Sequence, residues 1–371
     1  MKFRRVLIAV ILILVIFGQA GTKAYALSEG EDFKSSVNDI ISSLDKENKE
    51  MVDSEKIFDG RFADIGIGAI SKFIEHAVKS FLKNTFKLCG AVVIACLVEK
   101  IGELSSGKLS AEIMKLLQMF FITVICYTLV NTLFGALGDF CASLDSLMSS
   151  YGVVMGEIFL YGGELTLAST SSAWLAFSLE ISRKLSLKGL LPLLKICYCI
   201  SIASSVTSSD NLKSVSDFIK HIFVTLSVLF MTVLTTIMSF QTVLASATDT
   251  VALRGVKFVA SNTVPIIGGL VSESLRTLTS AVSLMKSQSG IVCIICLIVC
   301  ALPPLATVFG IKYSFVFANS FASFIGADTA KGVLSDLSKL INYLIGIIVI
   351  TTLYFVYFVF LFGNITAGAA G

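Results

Sequence analysis

An all-α, polytopic membrane protein with about seven transmembrane helices behind a short exported helical region is what this sequence predicts, and three observations predict it. The 371 residues are 55% hydrophobic with a mean hydropathy of +0.86, more apolar side chain than a soluble fold has interior to hide. Only 15% are charged, against roughly 25% in ordinary soluble domains. The charge is also uneven: residues 27–87 carry 21 of the 55 Asp, Glu, Lys and Arg, and residues 88–371 carry 30. A small polar region therefore precedes a long membrane region. Soluble enzymes, secreted disulfide scaffolds and nucleic-acid binders are excluded as default classes. The net charge of +3 is too small and too scattered to call for a nucleic-acid partner.

The first element, residues 1–26, reads as a signal peptide. Lys2, Arg4 and Arg5 form a basic start, Val6 to Phe17 an apolar stretch, and Ala24-Tyr25-Ala26 a small-residue cleavage site. Twelve apolar residues fall short of the ~20 needed to span a bilayer, so cleavage after Ala26 is expected. Residues 27–80 then form an exported, helical region. Phe33, Val37, Ile40, Ile41 and Leu44 repeat at helical spacing, and 46–59 is a charged, solvated stretch. Ile70, Phe73, Ile74, Ala77, Val78, Phe81 and Leu82 make one apolar stripe opposite Lys72, Glu75, Lys79 and Lys83. This amphipathic helix leads directly into the first span. Docking on membrane or partner and packing on its own bundle both fit it.

Residues 81–371 form the polytopic domain. Seven candidate spans follow one another: Phe81 to Val98, Leu116 to Phe134, Leu147 to Ala168, Gly189 to Ser205, Phe218 to Ser239, Gly290 to Phe309 and Ile341 to Phe362. Backbone amides in hydrocarbon must be satisfied within the segment, so these are helices. Lys195 is expected to snorkel from the start of the fourth. Ten basic residues fall on the cytoplasmic side of this arrangement and, leaving out the long N-terminal region, five on the other, which agrees with an exported N-terminal region. The odd count puts the C-terminus in the cytoplasm; a re-entrant third span would move it outside.

Ionisable residues at membrane depth are the usual functional candidates. Glu157 and Glu164, seven apart in the third span, would share one helix face; both a polar path and an interfacial helix fit them. The stretch 249–269 is the most informative. Arg254, Lys257 and Ser261 line one face of a helix that Asn262-Thr-Val-Pro265-Ile-Ile-Gly268 interrupts, because Pro265 removes an amide donor and disfavours helix at Val264. A broken or re-entrant membrane helix is expected there. Pro303-Pro304 is expected to break the sixth span in the same manner. All nine cysteines follow residue 88. Cys293-Ile-Ile-Cys296 has no His or carboxylate nearby to complete a metal site, so buried thiols are expected. No catalytic constellation is visible, and no cofactor is called for.

The residues Thr250-Val-Ala-Leu-Arg-Gly-Val-Lys-Phe-Val259, Ser261-Asn262, Pro265-Ile-Ile-Gly268, Ser283-Leu-Met-Lys-Ser-Gln-Ser-Gly290 and the tail Gly363-Asn-Ile-Thr-Ala-Gly368 resemble the stage III sporulation protein AE family of endospore-forming bacteria. The resemblance implies a non-enzymatic membrane subunit of the channel or secretion-like complex that links mother cell and forespore. It implies partners: ring-forming single-span proteins, other polytopic subunits and a cytoplasmic ATPase, with membrane lipid and further copies of the chain as the remaining contacts. It places the chain in the mother-cell (outer forespore) membrane, residues 27–80 in the intermembrane space. Arg254, Lys257, Asn262, Pro265 and Gly268 are its interaction candidates. A self-sufficient secondary transporter using Glu157, Glu164 and the break at Pro265 is the alternative.

Overall fold

The computed structural model describes residues 31–44, 46–49, 62–104, 108–161, 163–207, 210–263 and 268–364, with Val52 and Ile57, and at some of these positions, chiefly 241–246 and 248–287, the backbone alone. The expected signal peptide and Pro265 lie outside the described residues. The described chain is helical throughout: α1 (Glu31–Ser42), α2 (Lys46–Lys49), α3 (Phe62–Leu104), α4 (Lys108–Tyr161), α5 (Leu165–Arg183), a π-wound segment (Lys184–Leu190), α6 (Leu191–Thr207), α7 (Asp210–Thr263), α8 (Gly268–Phe324) and α9 (Asp328–Asn364). Arg183, Lys184 and Leu191 all keep right-handed helical angles, so α5, the π segment and α6 form one uninterrupted run.

Five of these helices, α3, α4, α7, α8 and α9, are long and apolar enough to cross a membrane, against the seven spans expected. The second and third expected spans lie largely within α4. The linking stretch Gly135 to Ser146 holds glycine and aspartate but no proline, and Leu137, Phe140, Cys141 and Leu144 within it recur at helical spacing and are buried. With a continuous apolar seam to bury, no turn forms. The fourth expected span falls on the π segment and α6, which itself has 17 residues. Pro303 and Pro304 do not break α8. They leave the carbonyls of Val299 and Cys300 without an i+4 amide, a loss that packing on both sides of the helix tolerates, while the Thr307 hydroxyl donates to the Pro303 carbonyl at 3.1 Å.

The runs alternate in direction. Gln118 donates to Glu99 at 3.0 Å across the α3–α4 hairpin, Asp145 pairs with Arg183 at 3.7 Å between α4 and α5, and Ser201 meets Ser216 at 3.2 Å between α6 and α7. Phe223 packs on Tyr343, and Ser239 bonds Tyr357, so α9 runs with α7. Cys96 reaches the Ile325 carbonyl while Phe73 packs on Phe309, so α8 runs with α3. Six alternating runs put the start of α3 and the end of α9 at the same end of the bundle.

The core follows from these pairings. α8 is the central helix, 72% buried over its most apolar stretch, and apolarity on all sides suits a helix enclosed by others. The residues described before α3 belong to the same core: Val37, Ile40, Ile41, Leu44, Val52 and Ile57 join it. Ser146 donates to the Ser43 carbonyl at 2.9 Å, and the Asn48 amide lies 3.9 Å from the Cys300 sulfur. The amphipathic helix is continuous with the first span, as expected.

Candidate functional site

Glu157 and Glu164 do not share a helix face. α4 stops at Tyr161, Gly163 takes φ 73°, and the Glu164 amide donates to the Phe159 carbonyl at 2.9 Å, so the chain reverses between them. Glu157 is exposed near the end of α4, whereas Glu164 is 1% exposed and stands at the position before the first turn of α5. The expected face fails because a glycine with positive φ closes the helix before its second carboxylate. Arg254, Lys257 and Asn262 lie on the helical backbone of α7, and Gly268 is the first residue of α8; their surroundings lie outside what is described. Lys195 sits with its ammonium 5.2 Å from the Phe134 ring centroid. Cys293, Cys296 and Cys300 are buried on one side of α8, and Cys199 is exposed. Among the described residues, no cluster of His, Cys, Asp and Glu is placed to hold a metal ion.

The apolar stripe of the amphipathic helix divides in two. Phe73 packs edge-on against Phe309 with ring centroids 6.1 Å apart, and Phe81 against Phe317 at 6.2 Å. Ile70, Ile74, Val78 and Leu82, on the neighbouring face, are 42–54% exposed. An apolar groove of about 570 Å³ lined by Phe73, Phe81, Phe309, Tyr313 and Phe317 runs along this seam.

Small residues make the seam close. A Cβ on Gly310 would stand 2.6 Å from the Ser80 Cβ and 2.8 Å from the Ala77 carbonyl oxygen, so the α3 backbone rests directly on α8. One turn on, the Ser314 hydroxyl donates to the Phe81 carbonyl at 2.9 Å, and the Thr85 hydroxyl donates to Ser314 at 3.2 Å. Helices in lipid associate through such close packing and interhelical hydrogen bonds, each bond contributing about 0.6 kcal/mol on average. Gly310 and Ser314, four apart, were the available sequence signal for this contact.

A second feature is the polarity of one flank. From Thr128 to Ser149 every exposed position of α4 is polar, glycine or alanine, among them Asn131, Thr132, Gly135, Asp139, Ala142 and Ser146. α5, the π segment and α6 lie alongside, tied by Asp145–Arg183 and by the Tyr198 hydroxyl donating to the Thr123 carbonyl at 3.3 Å. Between Arg183 and Ala203 they expose Arg183, Lys184, Lys188, Lys195 and Cys199, and among the side chains described there Ile196 is the one large apolar group at an exposed position. Lipid is a poor neighbour for such a surface, since one lysine or aspartate at the bilayer centre costs at least ~2.5 kcal/mol.

Comparison with known proteins gives the family. The family described as "Stage III sporulation protein AE" matches residues 47–366. Stage III sporulation protein AE of Bacillus subtilis (strain 168) is 27% identical over 178 residues, a match spanning 48% of this chain and 44% of that relative. No solved structure matches. A family match that starts in the α2 region and runs almost to the end of α9 takes in the whole helical bundle just described, and on that extent the chain belongs to the stage III sporulation protein AE family.

Proposed function

We propose that this chain is a non-enzymatic membrane subunit of the multi-protein complex that links mother cell and forespore during sporulation, a secretion-like channel apparatus. The observation that carries the reading is the family match over 47–366. Five apolar helices long enough to cross a membrane support a membrane seat, which in this reading is the mother-cell membrane. The partners are the ring-forming single-span proteins, the other polytopic subunits and the cytoplasmic ATPase of that complex. Recovery of those subunits with the tagged chain from sporulating cells is the expected result. A chain recovered alone that catalyses saturable uptake of a small solute would replace this reading with a secondary transporter. The transporter reading loses its main motive in the separation of Glu157 from Glu164.

In this reading the N-terminal region is extracytoplasmic. Because six alternating runs return the chain to its starting end, the C-terminus joins it there, in place of the cytoplasmic end that an odd count implied. The opposite end, with the connections around 106, 208 and 326, then faces the mother-cell cytoplasm and carries Lys100, Lys108, Lys115, Lys213, Lys220, Lys331 and Lys339, in keeping with the positive-inside bias. In an otherwise cysteine-free chain, a cysteine at Ser54 should react with a membrane-impermeant maleimide added outside intact cells, and one at Ser106 should stay unlabelled. The reverse pattern would invert the chain.

Arg254 and Lys257 then stand on the same side as the N-terminal region. A carboxylate pair on a partner uses the planar fork of arginine, whereas lipid headgroups need only positive charge. Arg254→Lys should therefore lower spore yield, Lys257→Arg should not, and Pro265→Ala should be intermediate. Equal tolerance of the two basic exchanges, with loss only on charge removal, would assign the site to lipid.

A further inference from the structure

The polar flank of α4 and the α5–α6 run stands level with the most lipid-like surface of the molecule. Counting equal rises away from the Ser201–Ser216 contact, Lys195 to Arg183 lie beside about residues 222–234 of α7, a rise of about 18 Å. Over that stretch α7 exposes Ile222, Val224, Val228, Leu229 and Val233, and it is the least buried of the five apolar helices, 19% over its most apolar window. One cross-section of the bundle thus presents branched apolar side chains on one flank and Asp139, Arg183, Lys184, Lys188 and Lys195 on another.

A bilayer that covers α7 reaches the level of these charges. We infer that the α4/α5–α6 flank faces water inside the membrane, so that the bundle is two-sided, with lipid against α7 and a hydrated space against α4 and α6. Three observations support water over a covering helix. Charges of both signs are exposed on the flank, the Arg183–Asp145 and Lys184–Glu180 pairs stay half-exposed rather than enclosed, and the exposed positions of α4 between Thr128 and Ser149 carry no large apolar side chain to anchor a partner, the half-buried Phe134 ring lying beneath the Lys195 ammonium. Hydrophilic solutes are the species such a space admits.

The inference rests on the side-chain distribution and not on the sporulation assignment, and its test reads the flank directly. The full-length chain, in sealed membrane vesicles, would carry one cysteine at a time: at Asn131 or Ala142 on α4, the native Cys199 on α6, or Val228 or Leu229 on α7. A charged, membrane-impermeant methanethiosulfonate is the probe. Thiol reactivity requires the hydrated thiolate, so Asn131, Ala142 and Cys199 should react at least ~10-fold faster than the α7 positions, a margin that ionisation in water against lipid readily supplies. Equally slow reaction on both flanks would overturn the inference. Repeating the reaction in detergent separates the causes. Flank cysteines that react in detergent and not in the vesicle belong to a folded chain whose flank is covered by lipid or protein, which also overturns it. Fast labelling of a chain dispensable for sporulation would leave this inference standing and remove the proposed function.

Discussion

Gly310→Leu is expected to deplete the folded protein. The α3 and α8 backbones approach so closely at this point that even a methyl group meets Ser80 at 2.6 Å and the Ala77 carbonyl at 2.8 Å. The obstructing atoms are a Cβ and a backbone oxygen, neither of which can swing aside as the end of a long side chain would. Overpacking of this kind costs about 1–3 kcal/mol for modest insertions, and an isobutyl group forced into a backbone contact belongs at or above the top of that range. Separating the helices also breaks the Ser314–Phe81 and Thr85–Ser314 hydrogen bonds. The measurement is thermal unfolding of the purified chain in detergent, with membrane abundance as a second readout. Gly310→Ala should lose less, and Ser80→Gly should restore part of that loss, because it removes the nearer of the two obstructions and leaves the Ala77 carbonyl. Wild-type stability of Gly310→Leu would show that the two helices do not meet as described.

Phe73→Asp and Ile74→Asp should part company although they are neighbours on one amphipathic helix. Phe73 is half-buried with its ring against Phe309, while Ile74 is 54% exposed. A carboxylate at 73 loses the aromatic contact and must be desolvated against α8, a combined cost of about 2–4 kcal/mol. At 74 it points away from the bundle, and surface substitutions of that kind usually stay within about 0.5 kcal/mol. Phe73→Asp should therefore vanish from the membrane fraction. Ile74→Asp should be present at normal abundance, and a sporulation defect in that variant would identify the outer stripe of Ile70, Ile74, Val78 and Leu82 as a contact surface. Equal depletion of both variants would mean that the outer stripe is also covered by this chain.

Membrane class, helical content and family were all legible in the amino acids. They depend on local or summed properties: the apolar fraction, the concentration of charge before residue 88, and the residues around Arg254, Asn262 and Pro265 that carry the family resemblance. The continuity of the amphipathic helix with the first span was legible too, since nothing between Ile70 and Val98 interrupts the helical pattern. The segment 135–146 misled because glycine and aspartate read as a connection when neighbours in sequence alone are considered. In the fold Leu137, Phe140, Cys141 and Leu144 bury one face, and α4 runs through. Pro303-Pro304 misled in the same way, since the helix-breaking tendency of proline was outweighed by packing around α8.

What tertiary structure alone decided was which face of each helix meets which neighbour. Periodicity places Phe73 and Ile74 on one stripe, but only the position of α8 makes one a core contact and the other a surface. Spacing allows Glu157 and Glu164 to share a face, and only the reversal at Gly163 separates them. The polar positions of α4 lie in an apolar run whose average hydropathy conceals them. Their meaning depends on the alignment of Lys195 and Arg183 with the apolar surface of α7, a relation between helices distant in sequence. A sequence determines the chemistry along each helix, whereas the rotation and offset of one helix against another arise from close packing, as where Gly310 lets α3 rest on α8, and that relation is set by all the contacts together.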